Sequence, residues 1–150
     1  MILIKNTQRK IKIDEKKIKK DILKMLRSLS YQNFDIGIWF TTNQTICKYN
    51  KKYRKINKST DILSFPYHTN LKPGQKIKVI SPEDKNLGDI IISLEYVKKN
   101  MAKSKTTFYS QIKKLLAHGI AHLLGYTHKT NIMYKKMIEI EKKLLKVLND

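Results

Sequence analysis

Apolar side chains recur along the chain with two different periods, and these periods predict where helices and strands lie. Residues 15–29 carry apolar positions at helical spacing after Asp14, a residue type that caps helix N-termini, so we predict an amphipathic helix there. Residues 34–41 (FDIGIWFT) place apolar side chains at alternate positions, which predicts a strand with one buried face. A short helix is predicted next, from Asn43 to about Tyr53. The defining apolar positions are Ile18, Ile22, Leu26 and Leu29 in the first helix, and Phe34, Ile36, Ile38 and Phe40 in the strand.

The second half of the chain begins with strand patterns and ends with helical ones. TDILSFPY (60–67) and LGDIIIS (87–93) are short runs rich in β-branched and aromatic residues, which predicts two strands joined by a long polar loop. From Leu94 onward, apolar residues recur at helical spacing in three successive segments, which predicts three helices. Strands and helices without a regular repeat indicate an α+β fold with helices packed against a small sheet. No linker or internal repeat divides the sequence, so we expect a single domain over residues 1–150.

The composition adds a strong imbalance of charge. Lys and Arg number 32 against 12 Asp and Glu, which gives a formal net charge of +20. Such a surface attracts polyanions, although a biased base composition of the coding sequence would also enrich lysine. The lone Cys47 excludes an intrachain disulfide and a cysteine-based metal cluster. No stretch reaches the roughly 18 to 20 apolar residues of a membrane span, and the first residues lack the apolar core of a signal peptide. We therefore expect a cytoplasmic protein without a membrane partner.

The segment LLAHGIAHLLGYTH, residues 115–128, contains three of the four histidines in the chain. His118 and His122 are four residues apart, so on a helix they project from the same face, one turn apart, within reach of one metal ion. Gly125 lets the helix end and the backbone turn, because glycine readily adopts the left-handed conformation found at helix C-termini. His128 can then return as a third ligand. The spacing predicts three imidazoles on one metal ion.

Neutral imidazole suits zinc, and three protein ligands leave the fourth tetrahedral position for water, as in a catalytic site. Because zinc lowers the pKa of such a water to roughly 7, hydrolysis is the natural chemistry. We predict one zinc ion per chain. Two alternatives stay open: the histidines only cap and pack the helix, or the zinc is purely structural. A structural zinc ordinarily has a fourth protein ligand, and the one remaining histidine, His68, is expected in a solvated loop.

The histidine spacing is similar to that of the metzincin peptidase motif HExxHxxGxxH, with one difference. Gly119 stands where those peptidases carry the glutamate that acts as general base. A peptidase needs such a group to deprotonate water and to protonate the amine leaving group, so peptide hydrolysis is disfavoured. Hydrolysis of a phosphodiester depends mainly on stabilising charge at the phosphoryl oxygens, which a metal and nearby cations provide. The net charge of +20 favours the same class of substrate.

The motifs HGIAHLLGYTH, STDILSFPY and LGDIIIS closely resemble those of the YbeY family, the bacterial single-strand-specific zinc endoribonucleases. The resemblance covers roughly residues 35–140. It implies a small mixed sheet packed with helices, related to the zincin catalytic domain, with the zinc motif on a C-terminal helix and the turn that follows. It also implies that His118, His122 and His128 bind zinc. The implied partners are single-stranded RNA, ribosomal RNA and ribosomal particles, and the implied roles are 3′-end maturation of small-subunit ribosomal RNA and ribosome quality control.

The chain departs from the family pattern at two positions. Ser59 stands where the family usually has proline, which is a detail of a loop. Thr127 stands where the family usually has aspartate, directly before the third histidine. An aspartate there could orient an imidazole or adjust the charge at the metal, whereas threonine supplies only a neutral hydroxyl. We therefore expect a different metal affinity or pH optimum, with the three ligands intact.

Arg54 lies ahead of the STDILSFPY motif, where the family also carries an arginine. It is one of only three arginines in a chain that otherwise uses lysine. A guanidinium binds a phosphate through two parallel hydrogen bonds, which an ammonium cannot do. We take Arg54 and the ligand His118 as the candidate catalytic residues. The alternative for Arg54 is a solvated surface position.

Other polar and aromatic residues in these motifs favour structural roles. Asp61 and Asp89 lie in apolar runs, and each is expected as a turn cap, a partner of a lysine or an acceptor for a zinc-bound histidine. Neither is named as the general base. Four aromatic residues are expected in the core rather than as platforms for base stacking: Phe34, Trp39, Phe40 and Phe65.

Together these observations favour a zinc-dependent endoribonuclease. In this hypothesis the zinc activates water or polarises the scissile phosphate, Arg54 binds phosphate, and lysines hold the RNA strand. One alternative is a non-catalytic ribosome-assembly factor that binds RNA and uses zinc only to hold its C-terminal helices together. Another is a metalloprotease that uses a different general base.

Overall fold

The structure of the chain, a computed structural model, describes residues 1–103 and 105–149. The strands are β1 (Ile2–Asn6), β2 (Asp35–Thr41), β3 (Ile62–Pro66) and β4 (Asn86–Ser93). The α-helices are α1 (Glu15–Ser28), α2 (Asn43–Arg54), α3 (Leu94–Asn100), α4 (Phe108–Leu123) and α5 (Asn131–Asn149). Within these residues, none of the helices has the length and apolar character that crossing a bilayer requires.

The strands form one mixed sheet in the order β1-β2-β4-β3. β1, β2 and β4 run parallel, whereas β3 is antiparallel to β4 and forms one edge of the sheet. The predicted α+β fold with a small mixed sheet is confirmed, and every predicted helix and strand is present. The relation to the zincin catalytic domain stays a prediction.

β1 is a strand that the sequence pattern did not indicate. It is an edge strand that pairs only with β2, so most of its five residues remain accessible and no clear alternation marks it. Its pairing places Leu3 opposite Gly37 and Lys5 opposite Trp39. The strand therefore widens the sheet face that lies away from the main core.

The main hydrophobic core joins one face of the sheet to α1, α4 and α5. Alternating positions of β2 and β4 point into it, as the period of two along residues 34–41 predicted. Phe34 and Phe40 lie in this core, which confirms their predicted position. Fully buried side chains from the helices and the sheet include Ile22, Leu26, Ile38, Ile90, Leu116 and Ile120.

The opposite face of the sheet is covered only in part. Ile46 of α2 packs against Leu63 and Ile91 in a small second cluster. Trp39 and Phe65 were also expected in the core, but they lie half-buried at the margin of this cluster. The reason is their place in the alternation: they face the side of the sheet on which a single helix packs, so part of each ring stays accessible.

Capping residues fix where α1 begins and where α2 ends. The Asp14 side chain accepts a hydrogen bond from the Lys17 amide, which confirms it as the N-cap of α1. α2 ends at Arg54 because Lys55 adopts the left-handed conformation, with a φ of 61°, and its amide bonds back to the last turn. Arg54 is therefore held in the C-terminal turn of α2.

Candidate metal centre

Helix α4 positions the first two histidines of the motif. Thr107 caps its N-terminus by accepting a hydrogen bond from the Ser110 amide, and its apolar side, including Leu116 and Ile120, is buried in the core. His118 and His122 project together from another side of the helix, as their four-residue spacing predicted. The centroids of their rings lie 4.5 Å apart.

A turn at Gly125 brings the third histidine back to the first two. Gly125 has a φ of 92°, and a Cβ at this position would collide with the carbonyl oxygen of Leu71. A side chain is therefore excluded both by backbone conformation and by space. The ring centroid of His128 lies 5.6 Å from that of His118 and 5.0 Å from that of His122. One ligand atom from each ring lies within 4.8 Å of the others.

The hydrogen bonds of the rings determine which nitrogens face each other. The Nδ1 atom of His118 lies 2.8 Å from Oε1 of Glu141, and Nδ1 of His122 lies 2.9 Å from the Tyr126 carbonyl oxygen. Because both oxygens only accept hydrogen bonds, each Nδ1 carries a hydrogen and donates it. In neutral rings the lone pairs are then on the Nε2 atoms, which lie 3.0 Å apart. Such facing lone pairs require a proton or a cation between them, and with His128 alongside, this donor set fits a metal ion.

The environment keeps His122 neutral at neutral pH. Burial lowers its pKa to about 4, and positive charge at His118, His128 and Arg54 contributes in the same direction. A metal ion competes with protons for imidazole nitrogen, so a histidine with a low pKa offers its lone pair over a wider range of pH.

Glu141 is a residue of this site that sequence reasoning missed. It lies on α5, its carboxylate is the partner of His118 Nδ1, and both side chains are about three-quarters buried, with 26% and 29% exposure respectively. A carboxylate in this position fixes the tautomer and orientation of a metal-binding imidazole. A sequence signal was present, because Glu141 lies on the same helical stripe as the buried Met137 and Leu144.

Gly119 is explained by packing rather than by chemistry. A Cβ at this position would press on the side chains of Ile90 and Ile62, since α4 lies directly on the sheet here. A side chain at this position would require the tips of these two isoleucines to shift. Glycine carries no carboxylate, so position 119 does not supply the general base of a peptidase.

The three histidines line a cavity of about 360 Å³ together with edge strand β3. Arg54, an exposed residue in the last turn of α2, lines the same cavity, and Nη1 makes one long hydrogen bond of 3.4 Å to Oδ1 of Asn50. Asp61 lies beside it, half-buried, and its carbonyl oxygen accepts a hydrogen bond from the Ser93 amide. The structure thus brings Arg54 and Asp61, both singled out from the sequence, to the histidine cluster.

Three other residues considered from the sequence lie outside the cluster. Asp89 is exposed on the opposite face of the sheet. His68 is in the loop after β3, as predicted, but it is half-buried and Nε2 lies 2.8 Å from the Asp84 carbonyl oxygen. The Thr127 hydroxyl donates to Sδ of Met133 at 3.1 Å. The carboxylate that orients an imidazole in this chain comes from Glu141.

Comparison with known proteins identifies the family that the chain matches. A family model described as Endoribonuclease YbeY matches residues 3–149. A human protein named Endoribonuclease YbeY is 37% identical over 144 residues, which are 96% of this chain and 86% of the human protein. A protein of the same name from Aquifex aeolicus is 35% identical over 149 residues, 99% of this chain and 91% of that protein.

A solved structure shares the fold. The solution structure of TM1509 from Thermotoga maritima matches with a TM-score of 0.59, covering 99% of this chain and 92% of that one. Its sequence identity is 19%, so this match concerns the arrangement of strands and helices.

We predict that Glu141→Gln lowers the affinity for zinc by about 10- to 100-fold, because loss of the charge weakens the orientation and basicity of the His118 ring. Competition with a metal-binding dye measures the effect. Glu139→Gln is the matched control, since Glu139 is an exposed glutamate on the same helix. Equal affinities in the two variants would contradict a role for Glu141 at the metal.

We also predict that the metal-free protein becomes less stable as the pH falls from about 6.5 to about 4. The unfolded chain binds a proton at His122 near the ordinary pKa of 6.5, whereas the folded chain does so only near 4. Between these values the unfolded state binds more protons, so the free energy of unfolding decreases as the solution becomes more acidic. Urea unfolding at pH 7 and pH 5 measures this change. His122→Gln is expected to reduce the dependence, and an unaltered dependence would argue against His122 as its source.

Proposed function

The chain belongs to the YbeY endoribonuclease family, and we propose that it is a metal-dependent enzyme that hydrolyses phosphodiester bonds in single-stranded RNA. The observation that carries this proposal is the convergence of His118, His122, His128 and Arg54 on one cavity. A metal-binding cluster and a guanidinium are the two groups that stabilise negative charge on a phosphoryl group. The single catalytic domain spans residues 1–150 in this proposal.

Zinc is the metal that the candidate ligands favour, at one ion per chain. Imidazole suits zinc, and a set of three protein ligands leaves a position open for reaction. When bound, zinc supplies Lewis-acid chemistry, which polarises phosphoryl oxygens and makes water more acidic. The chain prepares this site itself: Glu141 and the Tyr126 carbonyl hold the rings of His118 and His122 with their Nε2 atoms toward each other.

Arg54 is proposed to bind the scissile phosphate. Its guanidinium is exposed at the cavity, and its hydrogen bond to Asn50 is long, so the planar fork is available for a ligand. Two parallel hydrogen bonds from this fork fit two oxygens of a phosphate. They strengthen as negative charge accumulates on those oxygens in the transition state, which is why Arg54 is assigned a catalytic role.

The basic surface supports an RNA substrate. A net charge of +20 attracts the phosphates of an RNA strand to the protein. We propose ribosomal RNA as the substrate, with maturation of the 3′ end of small-subunit RNA and ribosome quality control as the roles. Action on ribosomal particles in the cytoplasm belongs to the same proposal.

Two alternative functions are less well supported. A peptidase lacks its general base, because the residue at that point of the motif is Gly119, which carries no carboxylate. A purely structural zinc in an assembly factor would be enclosed by four protein ligands. In the part of the chain that the structure describes, the candidate cluster has three ligands, and His128 is exposed to solvent.

We predict that Arg54→Lys lowers the rate of RNA cleavage by on the order of ten- to a thousand-fold, the effect of losing one donor that acts in the transition state. Lysine keeps the charge and loses the fork, so metal content and overall RNA affinity are expected to change little. A single-turnover assay with saturating enzyme isolates the chemical step from binding.

Arg27→Lys is the matched control for this prediction, because Arg27 is an exposed arginine on α1. Its cleavage rate is expected to equal that of the unmodified protein. If Arg54→Lys and Arg54→Ala both cleave at the unmodified rate, Arg54 has no catalytic role.

A further inference from the structure

A second cavity, of about 580 Å³, lies on the sheet face opposite the main core. Its floor consists of residues aligned across neighbouring strands: Leu3 pairs with Gly37, Gly37 with Asp89, and Asp89 with Phe65. α2 forms one wall. We call this cavity the aromatic groove and define it by the four rings that line it: Trp39, Tyr49, Tyr53 and Phe65.

The four rings of the aromatic groove form a continuous row. The ring centroids of Trp39 and Tyr49 lie 5.4 Å apart, those of Tyr49 and Tyr53 lie 6.1 Å apart, and those of Tyr53 and Phe65 lie 5.1 Å apart. Tyr53 is 55% exposed, so a large part of its ring is accessible. Accessible aromatic faces bind nucleobases by stacking, whatever the base.

The charges around the groove favour a base on its floor and a phosphate beside its lysines. The Asp89 carboxylate lies on the floor over Gly37, where it repels phosphate, and the rest of the lining is mostly apolar. Two cations lie over rings of the groove: Nζ of Lys5 lies 4.6 Å from the centroid of Trp39, and Nζ of Lys52 lies 5.2 Å from that of Tyr53. A nucleobase is flat and uncharged, so it fits the floor of the groove. The phosphate of the same nucleotide then lies near the two lysines.

α2 carries both kinds of contact on neighbouring faces. Tyr49 and Tyr53, four residues apart, face the groove. Its outer face, together with the residue that follows the helix, carries an exposed lysine cluster that attracts phosphates through charge, independently of the base sequence. These lysines are Lys48, Lys51, Lys52 and Lys55.

The groove adjoins the histidine cavity. Phe65 of edge strand β3 lines both of them. Tyr53 lines the groove, and the next residue, Arg54, lines the histidine cavity. A strand whose phosphate is bound by Arg54 therefore has its neighbouring nucleotide at the groove.

We propose that the aromatic groove binds unstacked bases of single-stranded RNA next to the scissile phosphate, and that it is where this protein distinguishes single strands from duplexes. The proposal rests on the function proposed above. Bases in a duplex are paired and stacked on each other, so they cannot enter the groove, whereas bases of a flexible strand can stack on its rings.

Trp39 provides a direct test, because it is the only tryptophan in the chain and lies in the groove. The metal-bound protein is mixed rapidly with a short single-stranded RNA, with an abasic sugar-phosphate chain of equal length, or with the corresponding duplex. We expect the single strand to quench Trp39 fluorescence and to bind at least about fivefold more tightly than the abasic chain. Equal binding of the two chains without quenching would overturn the proposal.

Two variants test whether the contribution of the bases to RNA binding arises in the aromatic groove. Tyr53→Leu is expected to weaken binding of the single strand by about five- to a hundredfold, the value of one base stacked on an aromatic ring, and to leave binding of the abasic chain unchanged. Tyr134→Leu is the matched control, because Tyr134 is 51% exposed and lies on α5. Equal loss of affinity in the two variants would overturn the proposal.

Cleavage measured on the same samples separates this proposal from the proposed function. Base-dependent quenching without any cleavage by the metal-bound protein supports the groove and contradicts the endoribonuclease. Cleavage by a protein that binds the RNA and the abasic chain alike supports the endoribonuclease and overturns the groove. A dimer that Tyr53→Leu dissociates, with RNA binding unchanged, would assign the groove to a second copy of the chain and also overturn the proposal.

Discussion

The approach of two imidazole nitrogens to 3.0 Å is the constraint on which the site depends. Two neutral rings with facing lone pairs are stable at this distance only with a positive species between them, so the fold must impose the arrangement. It does so through partners on different elements. Glu141 on α5 holds His118, and the Tyr126 carbonyl in the turn after α4 holds His122. In the metal-free protein, the repulsion between these rings raises the free energy of the folded state. A bound cation removes this repulsion, so metal binding stabilises the packing of the C-terminal helices.

The sheet divides the molecule into two chemically different sides. On one side α4 lies close against β3 and β4 because Gly119 has no side chain, and this brings the histidines to the edge of β3. On the other side α2 covers only part of the sheet and leaves an aromatic groove in which lysine cations lie over two of the rings. Phe65 and the neighbouring pair Tyr53 and Arg54 join the two sides. One edge of the sheet thus combines a centre for charge stabilisation with a surface that fits unstacked bases.

Local patterns made most of the fold and the histidine cluster predictable. Helical and strand periods are properties of neighbouring residues, and the spacing of His118, His122 and His128 around Gly125 needs only one helix and one turn. What depends on tertiary packing was missed. β1 has too few buried positions to show a period, and Glu141 becomes a partner of His118 only when α5 packs on α4. Trp39 was expected in the core, and its partial exposure depends on how much of its face of the sheet α2 covers.

Reconstitution of the metal-free protein shows directly whether cleavage depends on a metal ion at the three histidines. Zinc is returned in steps below one ion per chain, and bound zinc, cleavage of single-stranded RNA, RNA affinity and circular dichroism are measured on each sample. We expect cleavage to rise in proportion to bound zinc and to reach its maximum at one ion per chain, whereas the folded state and RNA affinity are already present without metal. Full cleavage without metal would contradict this expectation. So would zinc that restores only the fold and leaves the protein without cleavage.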